Sequence, residues 1–449
     1  MKYPLLVRAA AIGAVTLLLV VPLQMIRDKV KERQARAQEV LATYSAETAG
    51  QQVIAGPFLA LTCEETYSED RDVKRAGKVE TVSESRTRPC PTSLFLPRTL
   101  TVDADVPVET LHRGIYSIRT YRATVHWQGE FEWPQPPESS WTGKRRWKEA
   151  YLLTLVRDAR GVKEVRSSIP GTFSAKAPET MFERFALRQS LGAGDERAAG
   201  STLAFAYDAT IAGSGSFQVA PIADTNEIRL RSNWPHPSFT RGGSPDQREI
   251  GPQGFRATWH VNSIATSGNA AWKRIAQERM GEPIEGLGVS LFDPVNTYSL
   301  SYRATEYGFL FILFTFATFA AAEALTGVRL HAIQYGLVGC ALAVFFLLLL
   351  ALSEHIRFGV AYGSAAFACS ALNAYYLRHA LGSVARAASY LAGFLSMYGA
   401  LYVMLRSEDN ALLIGSLLVF GLLAAVMLLT RKLDWSAWGV RPVATPARP

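Results

Sequence analysis

Cysteine is scarce in this chain, with four among 449 residues, and no two are spaced C-x-x-C, which argues against zinc-ribbon and thioredoxin-type chemistry. Histidine is nearly as scarce. None of the seven (His112, His126, His236, His260, His331, His355, His379) stands in H-x-x-x-H or H-E-x-x-H, so the helix of a zinc protease is missing. There is no G-x-x-x-x-G-K-[ST] or G-x-G-x-x-G phosphate cradle and no G-x-S-x-G nucleophile elbow. "GSGSFQ" at 213–218 lacks the Lys and the following helix that a phosphate loop needs. A dispersed Ser-His-Asp set stays open, because such groups converge from distant positions. The chain also lacks a dense block of one charge. Of the formal +8, the segments 1–26 and 306–449 hold 11 basic and 6 acidic residues. The segment 27–305 holds 36 basic and 33 acidic, too near neutrality for a nucleic-acid footprint.

What the chain has is apolar residues, unevenly placed. Residues 9–26 carry no charge, and five more uncharged runs crowd the C-terminal third at 307–322, 332–353, 358–377, 387–405 and 410–430. About 18 or more such residues suffice to cross a hydrocarbon core about 30 Å thick. The expectation is a polytopic α-helical membrane protein of about six spans, with a large β-rich extracytoplasmic domain between spans 1 and 2. "ARA" at 35–37 has the form of a signal-peptidase site, but the charged "RDKVKERQ" before it favours an uncleaved anchor. With the N-terminus inside, the inner segments hold Lys2, Arg8, Arg329, Arg378, Arg386, Arg431, Lys432, Arg441 and Arg448. That agrees with the positive-inside rule; Arg27, Lys29, Lys31, Arg33 and Arg36 dissent. The expected division is 1–26 N-terminus and anchor, 27–305 periplasmic domain with a helical stalk, 306–430 five-helix bundle and 431–449 cytoplasmic tail.

Within 27–305, "IYSIRTYRATVHWQGEFEW" (115–133), "STLAFAYDATIAGSGSFQVAPI" (201–222) and "GFRATWHVNS" (254–263) are rich in β-branched and aromatic residues between turns. Short turn-separated strands of this kind predict an antiparallel sandwich or a mixed β-rich domain. Cys63 and Cys90, 27 apart in a segment placed where thiols oxidise, are candidates for a disulfide. Cys340 and Cys369 lie inside apolar runs and read as small fillers.

"RSNWPHPSF" (231–239) sets Trp234, His236 and Phe239 among Pro235 and Pro237. His236 would need His126 or His260 beside it to hold a metal at tetrahedral spacing. The simpler reading is a rigid docking turn, fixed by its prolines. "SNWPHPSF", followed by "GF" at 254–255, resembles the CreD family of bacterial inner-membrane proteins. So do "RLHAIQYGLVGCALAVFFLLLLALSEH" (329–355), "DPVNTYSLSYRATEYGFLFI" (293–312), "GSGSFQVAPI" (213–222) and "TRKLDW" (430–435). The resemblance covers nearly the whole chain. It implies an envelope-integrity protein tied to a stress regulon and to tolerance of E-group colicins, with no catalytic residues to carry over. It departs at Glu306 in "RATEYG", where relatives carry a lysine, which argues against a role for that charge.

Three polar residues in the apolar runs, Glu323, Gln334 and Asn373, are candidates for an ion relay or, more simply, for interfacial pairing. Glu323 would meet Arg329 or Asn373. Ser353-Glu354-His355 is expected to sit hydrated at a helix end, and Gly363, Ser364, Ala365, Ala366 and Ala368 to form a close packing face. Three function classes follow: a non-enzymatic envelope protein, a transporter or lipid handler, and an envelope enzyme with a dispersed site. The first is favoured, chiefly by the resemblance. It entails no cofactor and no nucleic acid; its partners are the bilayer and an envelope protein or lipid. The sequence fixes no oligomeric state.

Overall fold

The computed structural model describes residues 4–75, 78–138, 143–174, 186–240, 242–262, 286–291, 297–326, 331–381, 384–407 and 410–431. The chain divides into two compact units: Glu39–Pro294, which is β-rich, and Met1–Gln38 with Val295–Pro449, which is helical. These boundaries fall inside the expected 27 and 305, because helix α1 (Pro4–Glu47) carries the expected stalk without a break.

Among the described residues the β-rich unit is built from two sheets. The first runs β13 (Ser238–Phe239), β16 (Leu287–Ser290), β11 (Ser216–Val219), β1 (Gln52–Arg75), β6 (Lys144–Val156), β9 (Ala186–Ala193) and β8 (Phe173–Ser174), with β2 (Lys78–Phe95) beside β1. The second runs β14 (Gln247–Gly251), β15 (Gly254–Asn262), β12 (Thr225–Ser232), β3 (Thr99–Asp105), β5 (Tyr116–Glu132), β10 (Thr202–Ser214) and β7 (Val162–Ser167), with β4 (Val108–Arg113) beside β5. Side-chain alternation explains the core. On β10, Leu203, Phe205, Tyr207, Ala209 and Ile211 are buried, while Thr202, Ala204 and Asp208 face out. On β5, Tyr121, Ala123, Val125 and Trp127 are buried between exposed Arg122 and Thr124. One continuous core joins these to Leu59, Leu61 and Leu153 of the first sheet and to Trp133, Phe217 and Trp259. Burying each large aromatic ring removes about 150–250 Å² from water. At about 25 cal/mol per Å² that is roughly 4–6 kcal/mol of transfer free energy each, before entropy.

Where α1 ends, Arg160 meets its last turn: one guanidinium nitrogen donates to the Ser45 carbonyl oxygen at 3.0 Å, another to that of Ala46. These are carbonyls that helix geometry leaves without an internal partner. Asp158 holds Arg160 in place at 2.7 Å and accepts from the Gly50 N–H at 3.2 Å. The Arg160 side chain, then partial burial opposed by the Gly50 N–H, leaves the Asp158 carboxyl below its ordinary range.

Among the described residues the helical unit holds the start of α1 and six further helices: α2 (Thr297–Glu306), α3 (Gly308–Thr326), α4 (Ala332–Ser353), α5 (Phe358–Leu381), α6 (Val384–Arg406) and α7 (Ala411–Thr430). Its centre is aromatic. Phe345 lies 5.6 Å from Phe311, 5.4 Å from Tyr362 and 4.8 Å from Tyr398, ring centre to ring centre. Leu19 of α1 packs against Gly339 of α4, where any larger residue would collide with it.

This unit corrects the expectation of about six spans with the β-rich domain between the first two. Among the described residues, two helical stretches are long and apolar enough to cross a membrane, Ile333–Ser353 in α4 and Ala387–Arg406 in α6. Gly308–Ala317 in α3 and Ala411–Ala424 in α7 are apolar over shorter lengths. The architecture is a large N-terminal β-rich domain followed by a helical region with two candidate spans. The physical reason is that an uncharged run is not an apolar one. Helix α5 is uncharged over 358–377 but carries Tyr362, Ser364, Ser370, Asn373, Tyr375 and Tyr376. The packing face expected on α5 also shifts: Ala365 and Ala366 are buried, but Gly363, Ser364 and Ala368 are exposed.

Candidate functional site

The segment 232–239 carries the chain from one sheet to the other. It leaves the second sheet at the end of β12 and joins the edge of the first as β13, which pairs with β16 through Ser238 and Phe239. Ser232 starts the crossing by donating to the Val106 carbonyl oxygen at 2.6 Å and accepting from the Trp234 N–H at 3.2 Å. Asn233 grips the first residue of β4, accepting from the Val108 N–H at 2.7 Å and donating to its carbonyl at 3.2 Å. Trp234 is buried, its indole N–H donates to the His236 carbonyl oxygen at 2.7 Å, and the Arg119 guanidinium covers its ring at 4.9 Å. Phe239 sets its ring edge-on to Phe255 and Trp259, at 5.9 and 5.8 Å. Gly254 has φ +129°, and a Cβ there would strike the backbone of Ser232 and Asn233, so the crossing fits only against glycine. The His236 ring is exposed, edge-on to Trp234, while Pro235 and Pro237 are half-buried and fix φ on either side.

The other histidines of interest lie elsewhere, on the open face of the second sheet. His126 meets Asp208 at 2.8 Å; His260 lies between Glu227 and Asp246, 3.4 Å from each. Among the described residues no three His, Cys, Asp or Glu side chains gather as a metal site. The registers continue this polar pattern across the sheet: Arg229 faces Asp103, Asp103 faces His126, His126 faces Asp208 and Asp208 faces Arg166.

The first sheet carries a different feature. Strand β1 pairs with β6 as far as Thr66, but from Tyr67 to Arg75 it pairs with β2 alone, ending at Arg75 opposite Lys78. This arm is nine residue pairs long, about 30 Å at the rise of a strand. A free two-stranded ribbon is marginal in water, and this one is secured at its root. Cys63 and Cys90 are register partners with Cα atoms 5.2 Å apart and are joined as a disulfide. Two residues on, the Glu65 carboxylate is 2% exposed and accepts from Arg88 at 2.7 Å and from Arg145 at 3.2 Å. Arg88 also lies over the Tyr67 ring at 5.1 Å, and Arg86 bonds Glu69 at 2.9 Å further out.

In the helical unit a charged collar joins α1, α2 and the end of α4. Arg27 donates to Glu306 at 2.6 Å and to the Tyr302 hydroxyl at 3.3 Å, its guanidinium 5.1 Å from that ring. Arg33 reaches Glu354 at 3.6 Å, and the Tyr298 hydroxyl donates to the same carboxylate at 3.4 Å. Glu354 is therefore not the hydrated end expected: its side chain is 8% exposed. The charge at Glu306, read from sequence as without a role, is the partner of Arg27. Gln334 belongs to a helix cap, accepting from the His331 N–H at 2.8 Å while His331 accepts from Ile333. Asn373 is buried on α5. Glu323 lies on α3, but its side chain and Arg329 fall outside the described residues.

Comparison with known proteins settles the relationship. The family described as "Inner membrane protein CreD" matches residues 4–436. The protein of that name from Escherichia coli (strain K12) is 32% identical over 448 residues, covering 98% of this chain and 96% of its own. The chain belongs to the CreD family. In this CreD inner-membrane protein, the 232–239 residues singled out by sequence come together in one crossing turn, while Glu323, Gln334 and Asn373 form no described common site. Sequence reasoning missed Glu65 and the pairings of Arg27, Glu306 and Glu354. Each pairs with a residue 23 to 321 positions away, a separation no periodicity exposes; the one available signal was a carboxylate beside an apolar run.

Proposed function

We propose that this inner-membrane protein supports the integrity of the cell envelope without catalysing a reaction. In this reading the β-rich domain lies on the periplasmic side and engages another envelope protein, and its loss raises sensitivity to envelope stress and colicins. The observation that carries the reading is the rooted arm of β1 and β2. A disulfide at its base suits an oxidising compartment, and its exposed mixed-charge ribbon adds nothing to the core. A ribbon with two open edges, held in place at some structural expense, is suited to pairing with an extended segment of a partner. The pairing of Arg27 with Glu306 and Arg33 with Glu354 further supports the orientation, since it compensates part of the dissenting basic stretch.

Two measurements test it. In a Cys340→Ala/Cys369→Ala background, a membrane-impermeant maleimide should label Cys63 and Cys90 after mild reduction once the outer membrane alone is opened. Labelling only after the inner membrane is broken would put the domain in the cytoplasm. Replacing residues 68–85 by Asn-Gly should leave the domain's melting temperature within a few degrees but reproduce the envelope sensitivity of a deletion. Full complementation by the shortened arm would sink the binding role.

A further inference from the structure

A groove of about 560 Å³ opens on the first sheet between β6, β8 and β9. Its size lies in the range of small-molecule sites, about 300–1,000 Å³. The lining is polar: Lys148, Glu149, Tyr151, Thr172, Arg188 and Ser190 surround it, with Gly192 and Ala193 at one end. Its shape follows from a register break. Strands β6 and β9 shift between Ala150 and Tyr151, opposite Gly192, whose φ of +92° is a glycine conformation, with the Glu196 Oε2 4.0 Å from where a Cβ would stand.

The Arg188 guanidinium lies 3.4 Å from the centre of the Tyr151 ring. Arg188 also hydrogen-bonds the Tyr151 hydroxyl, and stacking of that kind holds the fork flat and leaves its remaining N–H groups for a planar anion. Glu149 is held by the Tyr151 hydroxyl, which donates to it. Burial, then that bond, raises the phenol above its ordinary value, so it stays a donor. Lys148 is already engaged with Glu64 at 3.6 Å. The groove therefore offers one oriented cation, one fixed carboxylate and two hydroxyls from Thr172 and Ser190. A phosphate dianion would leave Glu149 opposed to it; a ligand with one charge of each sign answers both groups.

We propose that this groove binds a small zwitterion of the amino-acid or short-peptide class, its carboxylate on Arg188 and its ammonium on Glu149. The proposal does not depend on the arm or on the periplasmic placement of the domain. Titration calorimetry on the full chain in detergent, with alanyl-alanine as probe, tests it. The dipeptide should bind, and its C-terminal amide and N-acetyl derivatives should each bind at least tenfold more weakly. Arg188→Ala and Glu149→Gln should each cost tenfold or more, and Ser190→Trp, which fills the groove without touching either charge, should abolish binding. Thermal unfolding checks that each variant is folded; if Arg188→Ala is not, Ser190→Trp decides. No binding to the unmodified protein overturns the proposal. So does inorganic phosphate or acetate binding as tightly as the dipeptide, or dipeptide binding that survives Ser190→Trp.

Discussion

In the β-rich unit Trp127, Trp133, Phe131 and Trp259 are enclosed, and the open face of the second sheet shows Arg229, Asp103, His126 and Asp208. In the two candidate spans of the helical unit large apolar side chains are on the outside as well: Leu337, Val344 and Leu347 on α4, Leu395 and Val403 on α6. The first arrangement minimises apolar area against water. The second does so only if lipid is the solvent, since hydrocarbon gains nothing from hiding leucine. One chain therefore follows two sets of rules, and a substitution's effect depends on which unit receives it.

The strongest challenge to that contrast is a cavity. Trp127→Ala, beneath the stacked Tyr207 ring 5.4 Å away, should destabilise the β-rich unit by roughly 3–5 kcal/mol. Urea unfolding followed by circular dichroism would read it, and a loss below 1 kcal/mol would mean the two sheets do not share a tight core. Next comes a charge on the outward face of α4. Val344→Arg should cost about 3 kcal/mol at the middle of a span, seen as a fall in the alkali-resistant membrane fraction. Val82→Arg on the arm, at a position equally exposed, should change nothing beyond about 0.5 kcal/mol. Equal tolerance at both positions would erase the distinction between the units.

The smallest expected effect concerns pH. The folded Asp158 carboxyl sits below its ordinary value, so the stability it contributes is present above the unfolded value near pH 4. It is lost as pH falls through the folded value. Asp158→Asn should cost about 1 kcal/mol at pH 7 and flatten the acid limb of the melting curve below about pH 4. An unchanged acid limb would remove Asp158 from the α1 anchor.

The strands of the β-rich unit were legible because period-two alternation survives in Leu203, Phe205 and Tyr207. The helices of the other unit were legible as apolar runs, but runs of that kind name no face, which is why the small residues of α5 misled. Counting absent charges also overstated the spans, since tyrosine, serine and asparagine dilute α5 without charging it. The crossing turn was visible as a motif, but its task was not, because which two sheets it joins depends on β16, about fifty residues further on. The arm's length was hidden for a similar reason. Nothing local distinguishes Thr66, the last residue β6 reaches, from Tyr67, where β1 pairs with β2 alone.

The crossing at 232–239 also decides how the β-rich unit would answer a pull. Were the sheets linked by loops alone, tension would peel them apart one contact at a time. Here Ser232, Asn233 and Trp234 are bonded to Val106, Val108 and His236 within a few residues, and Phe239 is wedged against Phe255 and Trp259. A load that drew β12 away from β16 would act on this covalent crossing as well as on the core the two sheets share, so the segment is a latch set beside that core.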